Sequence, residues 1–282
     1  MEVVLAETAG FCMGVDLALR RLDKLILSAE GCPIYILGPI IHNPQVLKRY
    51  AEKGVVMATD PSEVPAGAFV VIRAHGITRQ VEEALRARRV KIKDATCPRV
   101  KKAQLLIGRH ADDGSELLLY GEADHPEVAG LVSYARNGYF VFDSEEALAA
   151  HGLVPGKRYV LAAQTTQDRV HFERIAAGLK ERGDLDVTVL ETICDATKLR
   201  QAEAKELARK VDFMVVVGGY NSGNTRRLAQ VVSDQGTPCR HVETVDDLPL
   251  EDLAGYARIG VTAGASTPRS LIEKVLDGLA AL

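Results

Sequence analysis

Short apolar runs alternate along the chain with longer segments of helical periodicity, and that alternation predicts the elements. Val3-Val4-Leu5-Ala6 reads as a strand, with a helix over 15–27 behind it. Pro33-Ile34-Tyr35-Ile36-Leu37 is the next strand, followed by a helix over 44–53 with Asn43 as candidate N-cap and Pro44 at its first position. Val55-Val56-Met57, Phe69-Val70-Val71-Ile72 and Val90-Lys91-Ile92-Lys93 are further strands. An acidic turn over 60–65 follows the first of these, and a helix over 78–89 separates the last two. Strands that alternate with helices in this way predict parallel α/β units.

The same order recurs twice. Leu117-Leu118-Leu119-Tyr120 leads to His125 and a helix opening with Pro126-Glu127-Val128; Tyr139-Phe140-Val141-Phe142 and an acidic segment over 143–146 follow. Tyr159-Val160-Leu161 then leads to Gln164-Thr165-Thr166, a helix over 171–181 and the strand Val187-Thr188-Val189-Leu190. In the third stretch Phe213-Met214-Val215-Val216-Val217 enters the loop Gly218-Gly219-Tyr220-Asn221-Ser222-Gly223-Asn224, ahead of a helix over 225–234. Acidic Asp246-Asp247 comes next, then Ile259-Gly260-Val261, the loop Ala263-Gly264-Ala265-Ser266 and a last helix from Pro268.

The first two stretches close on a strand and then a cysteine at a helix start, Cys97 (helix over 100–110) and Cys194 (helix over 198–210). The third lacks both, and the N-terminal strand before Cys12 can supply them. These cysteines stand roughly ninety residues apart, a longer period than that of solenoid repeats. The expected fold is α/β, three similar lobes with mainly parallel sheets around a pseudo-threefold axis. The lobes are expected over 14–96, 97–193 and 194–282, the last completed by the N-terminal strand in 1–13.

Composition narrows the function classes. With 282 residues the chain has room for one large or two to three small domains. It is 47% apolar and 26% charged, ordinary for a globular protein. A formal net charge of −3 gives no basic footprint, so nucleic acid is not an expected partner. No apolar run approaches the roughly 18 residues of a membrane span, and Met1-Glu2-Val3-Val4 lacks the features of a secretion signal. Five cysteines, an odd number thinly spread, point to a reducing, cytoplasmic setting rather than a disulfide framework.

Parallel sheets present ligand loops at the C-terminal ends of their strands, so three cysteines and six polar loops are expected to converge. Cys32 and Cys239 end no strand in the repeated position and read as small hydrophobes. Cys12, Cys97 and Cys194 share one position, at helix starts that favour a thiolate. No Cys-x-x-Cys spacing is present, which removes a zinc ribbon and a ferredoxin run. Three thiolates suit a metal centre with one position open. It is either a zinc with a histidine as fourth ligand or, as the sharper reading, a 4Fe-4S cluster with one open iron. Such an iron acts as a Lewis acid and delivers electrons.

The loops carry His42, His75, His125, Thr165, Ser222 with Asn224, and Ser266. Singly these are cap or turn residues; together, at helix N-termini, they make an anion-binding ring. The stretch from Gly218 to Thr225 approaches a P-loop with Asn224 in the place of its lysine. Phosphate cradling is therefore expected and nucleotide hydrolysis is not. A diphosphate ligand fits. Glu127, in a first helical turn, either complements the helix dipole or serves as a buried general acid. No dinucleotide fingerprint opens a helix, so electrons are expected from another carrier.

Gly10-Phe11-Cys12-Met13-Gly14-Val15, Ala74-His75-Gly76, Asp94-Ala95-Thr96-Cys97-Pro98, His125-Pro126-Glu127-Val128, Gln164-Thr165-Thr166, Asn221-Ser222-Gly223-Asn224-Thr225 and Thr262-Ala263-Gly264-Ala265-Ser266 closely resemble the IspH/LytB family. The resemblance is ordered and spans nearly the whole chain. It implies 4-hydroxy-3-methylbut-2-enyl diphosphate reductase activity, the last step of the methylerythritol phosphate route to isoprenoids. There (E)-4-hydroxy-3-methylbut-2-enyl diphosphate loses its allylic hydroxyl, with two electrons and protons, to give isopentenyl and dimethylallyl diphosphate.

The resemblance implies that Cys12, Cys97 and Cys194 ligate a central 4Fe-4S cluster whose open iron takes the substrate hydroxyl. It implies Glu127 as the proton source, Thr165 as orienting the hydroxyl or a water, and His125 in the proton relay. His42, His75, His125, Ser222, Asn224 and Ser266 match diphosphate contacts. Reduced ferredoxin or flavodoxin is the implied electron donor, and a monomer or weak dimer is expected. Many members have a second serine where this chain has Gly223, so a backbone N–H is expected to take over there. A quinolinate-synthase-like three-lobed enzyme and a non-catalytic iron–sulfur or zinc redox sensor are the alternatives. The strand-end motifs disfavour the first, and six converging polar loops disfavour the second.

Overall fold

A computed structural model of the chain describes residues 1–248 and 250–282. In chain order the elements are β1 (Glu2–Leu5), α1 (Met13–Ser28), β2 (Ile34–Leu37), α2 (Pro44–Glu52), β3 (Val55–Ala58), β4 (Phe69–Ile72), α3 (Arg79–Ala87), β5 (Lys91–Asp94) and α4 (Pro98–Asp112). They continue with β6 (Glu116–Tyr120), α5 (Pro126–Val132), β7 (Tyr139–Phe142), α6 (Glu145–Ala150), β8 (Arg158–Ala163), α7 (Arg169–Glu181), β9 (Asp186–Val189) and α8 (Asp195–Ala208). The last are β10 (Phe213–Val217), α9 (Gly223–Ser233), β11 (Cys239–Val242), α10 (Leu250–Leu253), β12 (Arg258–Ala263) and α11 (Arg269–Ala280).

The strands form three four-stranded sheets, ordered β3-β2-β4-β5, β7-β6-β8-β9 and β11-β10-β12-β1, and the pairings are parallel. Each sheet has the same topology, with its first two strands exchanged in space. In the third, the outer place that β5 and β9 fill elsewhere is taken by β1, with Val3 opposite Ile259. Three parallel-sheet α/β lobes are thus the architecture the repeat predicts. Two compact units contain them. One comprises Met1–Asp16, Ile41–Arg49 and Asp195–Leu282 and holds the sheet with β1; the other comprises Leu17–Ile40 and Tyr50–Cys194 and holds the other two sheets.

Central strands covered on both faces explain why the sequence reads as continuous apolar runs. On β10, Val215 and Val217 pack with Ile272, Val275 and Leu279 of α11, while Met214 and Val216 pack with Ala204, Leu207, Leu228 and Val232 of α8 and α9. Strand β6 does the same. Leu118 and Tyr120 face Phe172, Ile175 and Leu179 of α7, and Leu117 and Leu119 face Ala103, Ile107, Val128 and Leu131 of α4 and α5. Around β4, Val70 and Ile72 pack with Val64 and with Leu85 of α3. Each buried Val, Leu, Ile, Met or Phe side chain among these contributes roughly 1.5–3 kcal/mol by leaving water.

Local capping accounts for the differences from the pattern reading. Asn43 Oδ1 accepts from Val46 N at 3.0 Å, as its N-cap role requires. The acidic segments are more ordered than turns. Asp60 caps a single 3₁₀ turn at Pro61–Glu63, and Ser144 caps α6, accepting from Ala147 N at 3.2 Å. Helices α1, α4 and α8 each begin directly after a cysteine, earlier than the apolar periodicity suggests. Among the described residues no helix is long and apolar enough to cross a membrane.

Candidate active site

Cys12, Cys97 and Cys194 are half-buried and stand immediately before α1, α4 and α8. Asp16 N donates to Cys12 O at 3.0 Å and Lys101 N to Cys97 O at 2.9 Å, so both cysteines start a helical ladder. Cys97 caps α4 through its backbone and makes no side-chain capping bond. The three amides share one arrangement. Each donates to the loop that follows the third strand of its own sheet: Cys12 N to Ala265 O (3.2 Å), Cys97 N to Ala74 O (2.9 Å) and Cys194 N to Thr165 O (3.1 Å). Those loops carry Ser266, His75 and Thr165. Each offers a sulfur donor at a helix N-terminus, a position that favours a thiolate, and soft sulfur is the ligand type an iron–sulfur cluster takes. Cys32 precedes β2 and Cys239 opens β11, where burial pushes its thiol up. Both lie outside the shared position.

In the larger unit His125 caps α5, its Nδ1 accepting from Glu127 N at 3.1 Å. An accepting Nδ1 leaves the proton of a neutral ring on Nε2. The His75 ring stands edge-on to it, with centroids 5.4 Å apart. Glu127 is only 2% exposed. Thr165 N donates to its Oε1 at 2.6 Å and Thr165 Oγ1 to its Oε2 at 3.0 Å. Burial raises the carboxyl to about 7 against the opposing pull of both Thr165 bonds. Thr165 also accepts from Cys194 N, so one residue joins the acid to a candidate ligand.

Buried Glu127 makes stability depend on pH. Its folded pKa of about 7 lies above the ordinary 4.5, so its contribution is full below pH 4.5 and fades as pH rises through 7. The loss is on the order of 3 kcal/mol. Urea midpoints across that window are expected to fall in the wild type and to flatten in Glu127→Gln. An equal fall in the variant would assign the dependence to another group.

In the smaller unit Ser222 caps α9, accepting from Thr225 N at 3.3 Å. Ser266 Oγ lies 3.3 Å from both Ser222 Oγ and His42 O, which draws the three loops together. Asn224 Nδ2 is buried and has no partner among the described residues, a donor available to a bound acceptor. Gly223 opens α9, so its N–H is one of the first-turn amides with no partner inside the helix. Gly219 must be glycine for proximity. A Cβ there would stand 2.8 Å from His42 O. Gly219→Ala is therefore expected to displace the His42 loop and raise substrate KM several-fold more than it lowers kcat, at a cost of about 1–3 kcal/mol in stability. Unchanged KM would show that the His42 backbone can yield without consequence.

Hydrogen bonds thus join Glu127, His125, Thr165 and Cys194 in one unit and His42, Ser222 and Ser266 in the other. Cys12 reaches the Ser266 loop through Ala265. Gln164, quoted among the strand-end motifs without a role, also serves the site. It is fully buried, and its Oε1 accepts from Glu122 N at 3.0 Å and from Gln167 Nε2 at 3.3 Å, bracing the start of the Thr165 loop. The signal available was a long polar side chain directly after a strand buried on both faces.

The chain matches the model of the LytB protein family over residues 3–280. A 4-hydroxy-3-methylbut-2-enyl diphosphate reductase of Nitratidesulfovibrio vulgaris is 57% identical over 281 residues, 97% of each chain. One from Oleidesulfovibrio alaskensis is 55% identical over 282 residues, covering 99% of this chain and all of its own. The solved E-1-hydroxy-2-methyl-but-2-enyl-4-diphosphate reductase of Plasmodium falciparum superposes with a TM-score of 0.93 at 27% identity, covering 98% of this chain and 87% of that one.

Proposed function

The chain belongs to the LytB family, and from that membership we propose that it reduces (E)-4-hydroxy-3-methylbut-2-enyl diphosphate to isopentenyl and dimethylallyl diphosphate. This is the last step of the methylerythritol phosphate route. The observation that carries the reading is Glu127, a buried carboxyl that holds its proton near neutral pH and is tied through Thr165 to Cys194.

Cys12, Cys97 and Cys194 would hold a 4Fe-4S cluster with one iron free of protein ligands, which would relay two electrons from the donor, one at a time, and act as a Lewis acid toward the allylic hydroxyl. His42, His75, His125, Ser222, Asn224 and Ser266 bind the diphosphate, helped by the Gly223 N–H at the start of α9. Thr165 Oγ1 orients the hydroxyl or a water. Glu127 gives its proton to the departing hydroxyl, which leaves as water; two electrons and two protons are consumed for each product formed. An acid with a pKa near the working pH is suited to that transfer. His125 Nε2–H stands in the relay that restores the proton. Ferredoxin or flavodoxin delivers the electrons to a cytoplasmic monomer or weak dimer of three lobes over 14–96, 97–193 and 194–282 with 1–13. Anaerobic reconstitution and product analysis with a chemical reductant test the reading. Both isomeric diphosphates are expected, and fully loaded protein that forms neither would overturn it.

A further inference from the structure

Helix α8 begins one residue after Cys194, yet its later turns grip the loop that leads to Cys12. Arg200 is 4% exposed. Its Nε donates to Thr8 O at 3.1 Å, and a terminal nitrogen donates to Thr8 O and to Gly10 O, the latter at 2.7 Å. Glu203, nearly one turn on, engages the opposite polarity of the same loop. Its carboxylate accepts from Glu7 N at 2.6 Å, from Thr8 N at 2.9 Å and from the Thr8 hydroxyl. Donors hold the carbonyls and acceptors hold the amides. The loop then turns at Gly10, whose φ of +103° suits glycine, and Cys12 follows.

Neither residue belongs to the acid or to the diphosphate loops. A guanidinium is costly to bury unless hydrogen-bonded, and here it donates to the backbone carbonyls of Thr8 and Gly10. The segment it holds leads two residues on from Gly10 to the Cys12 sulfur. Groups behind a metal ligand set its orientation and tune the electronics of the centre. We propose that Arg200 and Glu203 are positioning residues for the Cys12 sulfur, clamping loop 7–10 so that helix α8 sets where this ligand stands. The proposal rests on Cys12 as a cluster ligand.

The test compares reconstituted wild type with Arg200→Met, Arg200→Lys, Glu203→Gln and Cys12→Ser. The readouts are the rate of iron loss to a chelator and the EPR spectrum of the reduced cluster. Arg200→Met and Glu203→Gln are expected to lose iron about 10- to 100-fold faster and to change the spectrum. Arg200→Lys, which keeps the charge but not the fork, falls between. Wild-type rates in these variants would overturn the clamp, as would faster loss with an unchanged spectrum, the result a merely loosened fold gives. Should Arg200→Met fail to fold, Arg200→Lys and Glu203→Gln carry the same comparison. Cys12→Ser separates the two readings. Full iron in it overturns the ligand assignment, whereas iron loss in it alone overturns only the clamp.

Discussion

Glu127→Gln is expected to bind substrate with nearly wild-type affinity and to lose turnover by about 10²- to 10⁴-fold, the range a positioned general acid contributes. The amide matches the carboxyl in shape and can still accept from Thr165 N, now at 2.6 Å from Oε1, while the Thr165 hydroxyl can turn to accept from the new amide donor. Packing at a site 2% exposed is therefore kept and only the transferable proton is lost. Steady-state kinetics with a chemical reductant check this. In the wild type, kcat is expected to decline above pH 7, where the acid with a pKa of about 7 is ionised, and the residual rate of the variant to lack that decline. Wild-type rates in Glu127→Gln would remove Glu127 from the acid role.

Cys97→Ser is expected to lose both the cluster and turnover while the polypeptide keeps its fold. The backbone bonds of Cys97 use groups that serine also has. Its N–H donates to Ala74 O, its C=O accepts from Lys101 N, and its side chain makes no capping bond. Serine is a better N-cap than cysteine, yet its hydroxyl is a poor ligand for a centre that selects soft thiolates. Iron and sulfide per chain, measured beside thermal unfolding of the cluster-free protein, separate these effects. Cys239→Ser, outside the shared position, is expected to retain its iron. A Cys97→Ser protein with full iron and turnover would contradict the ligand assignment.

The three-lobed order was legible because strands buried on both faces, such as β6 and β10, read as unbroken apolar runs. The place of β1 beside β12 followed from the gap its absence leaves in the third repeat. Helix starts were less legible. The first turns after Cys97 and Cys194, Pro98-Arg99 and Asp195-Ala196-Thr197, carry no apolar stripe, so periodicity places the helices late. The amide of each cysteine finds its partner through the spatial order of parallel strands, which no local pattern encodes.

Polar residues inside the fold were hardest to see. Glu127 has an ordinary glutamate's place in a first helical turn, and only its burial turns it into an acid poised near neutrality. Arg200 and Gln164 would be assigned to the surface by residue type, and both are buried against backbone or side-chain partners.

The most direct test of the account mixes chemically reduced, cluster-loaded protein with the hydroxylated allylic diphosphate in the absence of further reductant. Substrate is expected to reoxidise the cluster and, once reductant is restored, two electrons are consumed for each molecule of isomeric diphosphate formed. A fully loaded, reduced protein whose spectrum does not change on mixing would contradict it.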